Sequence, residues 1–95
     1  MKRLHESWIH NNGTYATRVE LHKDRKFKMT YESKNAYERF TISLFDGDKW
    51  NPIASIDDLG IQSNSSSYIH SDVQAKNRLV ELTIAGEKFI KMIMS

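Results

Sequence analysis

The chain has no cysteine, one proline and four glycines among its 95 residues. Without cysteine it has no disulfide, no thiolate nucleophile and no Cys-ligated zinc, and this is typical of a reducing compartment such as the cytoplasm. Long hydrophobic runs are also missing, so we expect neither a signal peptide at the start nor a membrane span. These absences favour one small cytoplasmic domain over residues 1–95.

Catalytic and metal-binding motifs are equally scarce. The sequence has no glycine-rich phosphate loop and no nucleophile elbow. Its four histidines lack the spacing of a metal site: His5, His10, His22 and His70. Asp57 and Asp58, at the end of a strand, are a conceivable acid–base pair, but turn chemistry explains them better. We therefore predict no enzyme activity, no metal and no cofactor.

A regular apolar pattern occupies the tail of the chain. Six positions recur at alternating steps of four and three, which places them on one stripe of an α-helix: Ala75, Leu79, Leu82, Gly86, Phe89 and Ile93. We predict a helix over about residues 71–94 with Ser71 as its N-cap. A β-hairpin is the alternative, because Val80, Leu82 and Ile84 alternate before a turn that contains glycine.

Before the tail, short segments alternate with period two and are separated by turn signals. The prediction is an α+β fold. An antiparallel β-meander of four to five strands covers about residues 4–56, a serine-rich linker follows at 62–67, and the long C-terminal helix packs on one face of the sheet. Pro52 has no amide proton, so its strand is expected at a sheet edge.

The register of each hairpin decides which side chains face the helix. Asn12-Gly13 favours a two-residue turn, and a three-residue loop at 23–25 pairs Leu21 with Phe27. These registers match apolar residues with apolar residues. They predict an inward face on the second strand that contains Tyr15, Thr17, Val19 and Leu21.

A three-residue loop at 46–48 likewise pairs Leu44 with Trp50. The inward faces and the helix stripe together predict the core. Its members are Trp8, Tyr15, Val19, Leu21, Phe27, Met29, Phe40, Ile42, Leu44, Ile56, Leu79, Leu82, Phe89 and Ile93.

The opposite parity predicts an outer face that mixes basic and aromatic side chains: Arg18, Glu20, His22, Lys26, Lys28, Glu32, Tyr37, Arg39, Thr41, Ser43 and Phe45. Such a mixture on an open sheet is typical of single-strand nucleic-acid binding. The basic hairpin tip at 22–28 adds to it. The net charge of only +2, together with Glu20 and Glu32, counts against this interpretation. The candidates for partner or nucleic-acid binding are Arg18, Lys23, Arg25, Lys26, Lys28, Tyr37, Arg39 and Phe45.

The predicted helix carries more apolar surface than one contact needs. Val73, Val80 and Ile84 form a second, narrower stripe away from the main one. A wide helix face spread over a twisted sheet would explain this stripe, and so would a symmetric homodimer interface.

By elimination, the sequence favours a small non-enzymatic module that binds a protein partner. An inhibitor or adaptor is the expected type, of the kind that phage and mobile elements encode against host defence or regulatory proteins. Nucleic-acid binding through the outer face and the hairpin tip is the alternative. A small enzyme that uses Asp57 or Asp58 is a third and weaker hypothesis.

Overall fold

The chain forms a five-stranded antiparallel sheet followed by one long helix. The computed structural model describes residues 1–34, 37–63 and 72–95. The elements are β1 (Lys2–His10), β2 (Thr14–His22), β3 (Arg25–Lys34), β4 (Tyr37–Phe45), β5 (Trp50–Ser55), a 3-10 helix (Ile56–Leu59) and α1 (Asp72–Ile93). The spatial order of the strands follows the chain. The predicted α+β meander is therefore confirmed, with Pro52 on an edge strand. The predicted cap Ser71 and residues 64–67 of the predicted linker lie outside the described residues.

Helix α1 turns one apolar stripe toward the sheet. The positions that face it recur at helical spacing: Ala75, Leu79, Leu82, Gly86, Phe89 and Ile90. The tail is therefore a helix, as its main spacing predicts, and the hairpin alternative is wrong. Ile93, predicted in the core, is 44% exposed. The buried stripe instead continues from Leu82 in steps of four residues, through Gly86 to Ile90.

Gly86 lets the helix approach the sheet closely. A Cβ atom at this position would lie 2.8 Å from Met29 Sδ and 3.4 Å from the ring of Phe40. Both of those side chains are buried, so a larger residue here must displace packed atoms. The close approach explains a glycine that costs a helix interior about 1 kcal/mol relative to alanine.

Replacing this glycine tests the close packing. Gly86→Val should lower the free energy of unfolding by about 1–3 kcal/mol, the usual cost of overpacking a core. Ala85→Val is the matched control, since it places the same β-branched side chain at the neighbouring half-buried position. Urea denaturation followed by tryptophan fluorescence measures both variants. Equal destabilisation by the two substitutions would contradict a tight contact at Gly86.

We call the sheet face beneath α1 the covered face and the opposite one the open face. As predicted, β3 and β4 supply the largest buried side chains of the covered face, and Tyr31 joins them: Phe27, Met29, Tyr31, Phe40 and Ile42. Ala54 and Ile56 are also buried, and Trp8 and Leu44 pack against this cluster while remaining half-buried. The core is thus centred on the two middle strands.

The register between β2 and β3 differs from the prediction by one residue. Leu21 lies opposite Lys26 and not opposite Phe27. The turn holds two residues, Lys23 and Asp24, with φ angles of 50° and 64°. Two successive positive φ angles are typical of a type I′ turn, whose twist matches that of a hairpin. A change of one residue moves every side chain of β2 to the other face.

Two further loops differ from the prediction. Asn12 and Gly13 lie in a three-residue loop, so that His10 pairs with Thr14. The loop before β5 has four residues, 46–49, and pairs Trp50 with Phe45 instead of Leu44. These registers bring Trp50 to the open face and keep Trp8 on the covered face.

The side chains on the covered face of β2 are therefore either small or charged: Thr14, Ala16, Arg18 and Glu20. The residues predicted inward lie on the open face: Tyr15, Thr17, Val19 and Leu21. The prediction was wrong because it assumed that apolar side chains of β2 must meet the helix. The structure instead pairs the polar groups beneath it, beginning with a 2.7 Å contact between His10 Nδ1 and Thr14 Oγ1.

Arg78 neutralises the buried carboxylate of Glu38. Its Nε donates to Glu38 Oε2 at 2.9 Å and its Nη2 to Oε1 at 2.8 Å. The hydroxyl of Tyr31 donates to the same Oε2 at 2.7 Å. Burial and this hydrogen bond raise the pKa of the Tyr31 phenol. A two-pronged guanidinium–carboxylate pair fixes orientation as well as charge, so this contact sets the position of α1 over β3 and β4.

Arg18 has the same role beneath the first hairpin. Its Nε lies 2.5 Å from Glu20 Oε1 and its Nη1 2.6 Å from Glu6 Oε2. Burial, and then a hydrogen bond with Glu20, raises the pKa of the neighbouring Glu87 carboxyl. The acidic side chains of β1 and β2 thus lie on the covered face.

Candidate binding site on the open face of the sheet

Two neighbouring rows of paired residues cross the open face from β1 to β4. The first row is formed by Ile9, Tyr15, Glu32 and Arg39. The second is formed by Ser7, Thr17, Thr30 and Thr41. Because short hydroxyl side chains lie beside long ones, the two rows line a depression of about 440 Å³. We call this depression the trough.

A group of cations and aromatic rings borders the trough on β3, β4 and β5. Lys28 lies two residues from Thr30 of the trough floor, and its Nζ is 4.6 Å from the ring centroid of Trp50. The Nζ of Lys26 is 5.4 Å from the ring centroid of Phe45. The two rings contact each other, with centroids 5.0 Å apart and planes tilted by 48°. Cations held over rings keep their charge at the surface while their stems cover apolar area.

A second group lies at the first row of the trough. Arg39 Cζ is 6.0 Å from the ring centroid of the exposed Tyr37. The Tyr37 hydroxyl donates to Glu32 Oε1. This hydrogen bond raises the pKa of the Tyr37 phenol. Glu32 and Arg39 are direct cross-strand partners, so a carboxylate and a guanidinium stand side by side above the trough.

The open face carries an excess of positive charge. Among the described strand residues of this face, Glu32 is the single carboxylate. The cations of the same face are Lys2, Lys26, Lys28, Lys34 and Arg39. The other strand carboxylates, Glu6, Glu20 and Glu38, have covered-face parity. The open face is therefore suited to an anionic ligand that also presents flat rings.

The eight residues predicted to bind a partner or nucleic acid fall into three groups. Five of them lie together on the open face, as predicted: Lys26, Lys28, Tyr37, Arg39 and Phe45. Arg18 was wrongly placed there, along with Glu20 and His22, since the register of β2 turns them to the covered face.

The remaining two candidates lie near the tip of the second hairpin. Lys23 is in the β2–β3 turn, where its Nζ donates to the carbonyl of Met94 at 2.9 Å. Arg25 is exposed and pairs with His22, which gives it covered-face parity. Lys23 and Arg25 are therefore separate from the trough, unlike Lys26 and Lys28 of the same hairpin.

Sequence reasoning missed two aromatic residues and the trough floor. Tyr15 was assigned to the core, Thr17 and Trp50 were assigned to the inward face, and Thr30 was not considered. A type I′ turn at Lys23-Asp24 would have revealed Tyr15 and Thr17, because aspartate tolerates positive φ and a two-residue loop moves β2 to this register. The face of Trp50 depends instead on the length of the loop at 46–49.

Other chemistries find little support in the described part of the chain. No three His, Asp or Glu side chains converge there on a possible metal position. Asp58 Oδ2 accepts from the Ser55 amide at 2.8 Å and so caps the 3-10 helix, while Asp57 is exposed. Within the same residues, α1 is not long and apolar enough to cross a bilayer.

Comparison with known proteins found no match. The chain matches no protein-family model, and neither curated proteins nor solved structures provided a match. The function must therefore be inferred from the geometry and charge of the site itself.

The hydrogen bond between Tyr37 and Glu32 can be tested by titration of the tyrosine. Substituting Glu32→Gln should lower the pKa of the Tyr37 phenol toward that of a free tyrosine, because the carboxylate that opposes phenolate formation is lost. NMR of tyrosine-labelled protein follows each ring through an alkaline titration. Tyr15, which lies opposite Glu32 in the register, provides the internal comparison. An unchanged Tyr37 titration in Glu32→Gln would show that the hydrogen bond is not formed in solution.

Proposed function

We propose that this protein binds single-stranded nucleic acid across the open face of its sheet. The proposal depends on one observation: the open face combines the trough with three cation–aromatic pairs and, among its described strand residues, a single carboxylate. Charge follows the phosphates and rings stack on unpaired bases in proteins that hold single strands. A cytoplasmic setting is part of the proposal, since a chain without cysteine suits a reducing compartment.

The dimensions of the trough are compatible with a short stretch of strand. It crosses four strands, and three inter-strand spacings amount to about 14 Å. Threonine and serine hydroxyls on its floor can donate to or accept from base edges. In this proposal Lys26 and Lys28 contact phosphates, while Tyr15 in the trough and Tyr37 next to Arg39 stack on bases. A duplex would present no free base faces to these rings.

Support also comes from the position of the acidic residues. Glu20 counted against nucleic-acid binding as long as it was assigned to the outer face. It is 1% exposed beneath α1 and paired with Arg18, so it does not oppose a phosphate on the open face. Glu32 remains there, and it is held by Tyr37.

Charge reversal on the open face tests the proposal. The double variant Lys26→Glu, Lys28→Glu should weaken binding of labelled oligothymidine by at least about tenfold at low salt. The slope of affinity against salt should fall by about 1.4, for two phosphate contacts at roughly 0.7 each. Fluorescence anisotropy at several salt concentrations measures both quantities.

The matched control is Lys88→Glu with Lys91→Glu. These two lysines are exposed on α1, so the variant changes the net charge equally while leaving the open face intact. Its binding should stay within about threefold of the wild type, as expected from loss of long-range attraction alone. Equal losses in the two double variants, or no binding by the wild type at low salt, would reject the open face as the site.

A protein interface is the second candidate, and a groove beside α1 favours it. The groove has a volume of about 630 Å³ and lies between the first hairpin and the helix. Trp8, Leu79, Val80 and Ile84 line it. Val80 and Ile84 are 58% and 49% exposed, and Val73 on the same stripe is 66% exposed. We propose this surface for protein contact, either with a second copy of the chain or with the target of an inhibitor or adaptor.

A second copy suits this groove because its rim carries both signs of charge. Arg3 and Lys76 lie on the rim together with Glu6 and Glu87. A two-fold symmetric interface needs a surface that is complementary to itself, and a rim of mixed sign satisfies this need. The open face carries an excess of positive charge, so two copies of it would repel each other.

Light scattering tests the homodimer. Wild-type protein should have the mass of a dimer, and Val80→Glu should be monomeric, because a carboxylate buried without a partner is unfavourable. Met92→Glu is the control, since Met92 is equally exposed, at 63%, but lies about a third of a turn away around the helix from Val80. A wild-type monomer at high micromolar concentration, or a dimer in Val80→Glu, would rule out this interface.

A further inference from the structure

Glu32 and Arg39 offer a ligand hydrogen-bond acceptors and hydrogen-bond donors side by side within the trough. They face each other directly across β3 and β4, and both line the depression. In the described residues no carboxylate lies within ion-pair distance of Arg39, whose guanidinium rests against the Tyr37 ring at 6.0 Å. The trough therefore presents an acceptor pair, the Glu32 oxygens, beside a fork of donors from Arg39.

The Glu32 carboxylate is positioned by its neighbour. The Tyr37 hydroxyl donates to Oε1, and each carboxylate oxygen has further lone pairs with which to accept hydrogen bonds. Tyr37 and Arg39 share one strand and one face, so the ring, the guanidinium and the carboxylate form one connected unit. Glu32 is thus held in place before any ligand arrives, which lowers the entropic cost of binding.

Guanine is the nucleobase that matches this pair of edges. Its N1–H and N2 amino group are adjacent donors, suited to the two oxygens of a carboxylate, and its O6 and N7 are adjacent acceptors, suited to arginine. Adenine and cytosine each offer one amino group, next to a ring nitrogen that accepts. Thymine and uracil offer one N–H between two carbonyls. A carboxylate opposes these three edges because at least one acceptor would face it.

We propose that the Glu32–Arg39 end of the trough selects guanine in single-stranded nucleic acid. This inference rests on the proposed function and adds a base preference to it. Glu32 accepts from N1–H and the N2 amino group, and Arg39 donates to O6 or N7. Tyr15, adjacent to Glu32 in the same row, lies where it can contact the face of the base. Lys26 and Lys28 contact phosphates of the flanking nucleotides and add no preference.

The test uses oligothymidine that carries one guanosine, adenosine or cytidine at its centre. Competition against a labelled oligothymidine, read by anisotropy, should show the guanosine oligomer to be preferred by about tenfold, the discrimination that a good two-pronged base contact provides. Inosine in place of guanosine removes the N2 amino group and should lose most of the preference. Replacing N7 of guanine by carbon should weaken the contact of Arg39.

A variant of Glu32 and a control variant test whether Glu32 causes the preference for guanine. Glu32→Gln should bring the guanosine and thymidine oligomers to within about twofold of each other, because the amide offers one acceptor and one donor where the carboxylate offered two acceptors. Glu81→Gln is the control for the same chemical change, since Glu81 is exposed on α1, on the covered side. It should keep the full preference. Circular dichroism verifies that each variant is folded.

The outcomes separate the base preference from the proposed function. Equal affinity of the wild type for all four oligomers, or a guanosine preference that survives in Glu32→Gln, overturns the guanine inference and leaves single-strand binding in place. Absence of binding to every oligomer at low salt overturns the proposed function and the inference together. A preference that needs the N2 amino group and Glu32 supports both.

Discussion

A single helix packed on five strands determines most of this structure. Helix α1 can shield only one face of the sheet, so the side chains of β3 and β4 that cannot remain in water must all project to that face. Gly86 brings the helix down onto Met29 and Phe40, and all three residues are buried. The other face then has no cover of its own among the described residues, and whatever lies on it is available to a ligand.

The buried charges follow from the same arrangement. Glu20 and Glu38 lie beneath the helix, where an unpaired carboxylate would be strongly unfavourable. Arg18 and Arg78 neutralise them at hydrogen-bonding distance. Two arginines are thus used inside the fold, and the carboxylates they neutralise are removed from the open face. The excess of cations that we connect with phosphate binding is the result, although the net charge of the chain is only +2.

The trough lies on the open face and the groove lies beside α1, and Ser7 and Thr17 line both. A homodimer formed through the groove would leave the Glu32–Arg39 end of each trough free. Two linked troughs would then bind one long strand more tightly than either trough alone, through raised effective concentration. In the proposed complex Glu32 and Arg39 read the base while the neighbouring lysines supply charge, so affinity and base preference would reside in different side chains.

The sequence by itself determined the α+β class, the order of the elements, the helix of the tail and the inward faces of β3 and β4. Periodicity carries this information, since Phe27, Met29, Phe40 and Ile42 alternate strictly and the helix stripe repeats at 3.6 residues. It also indicated Lys26, Lys28, Tyr37, Arg39 and Phe45. Only the tertiary structure decided the faces of β2 and the place of Trp50. The faces of β2 and the place of Trp50 depend on whether a loop holds two, three or four residues. The face of β2 also depends on Arg18, which makes burial of Glu20 tolerable. Neither condition is visible in the pattern of a single strand.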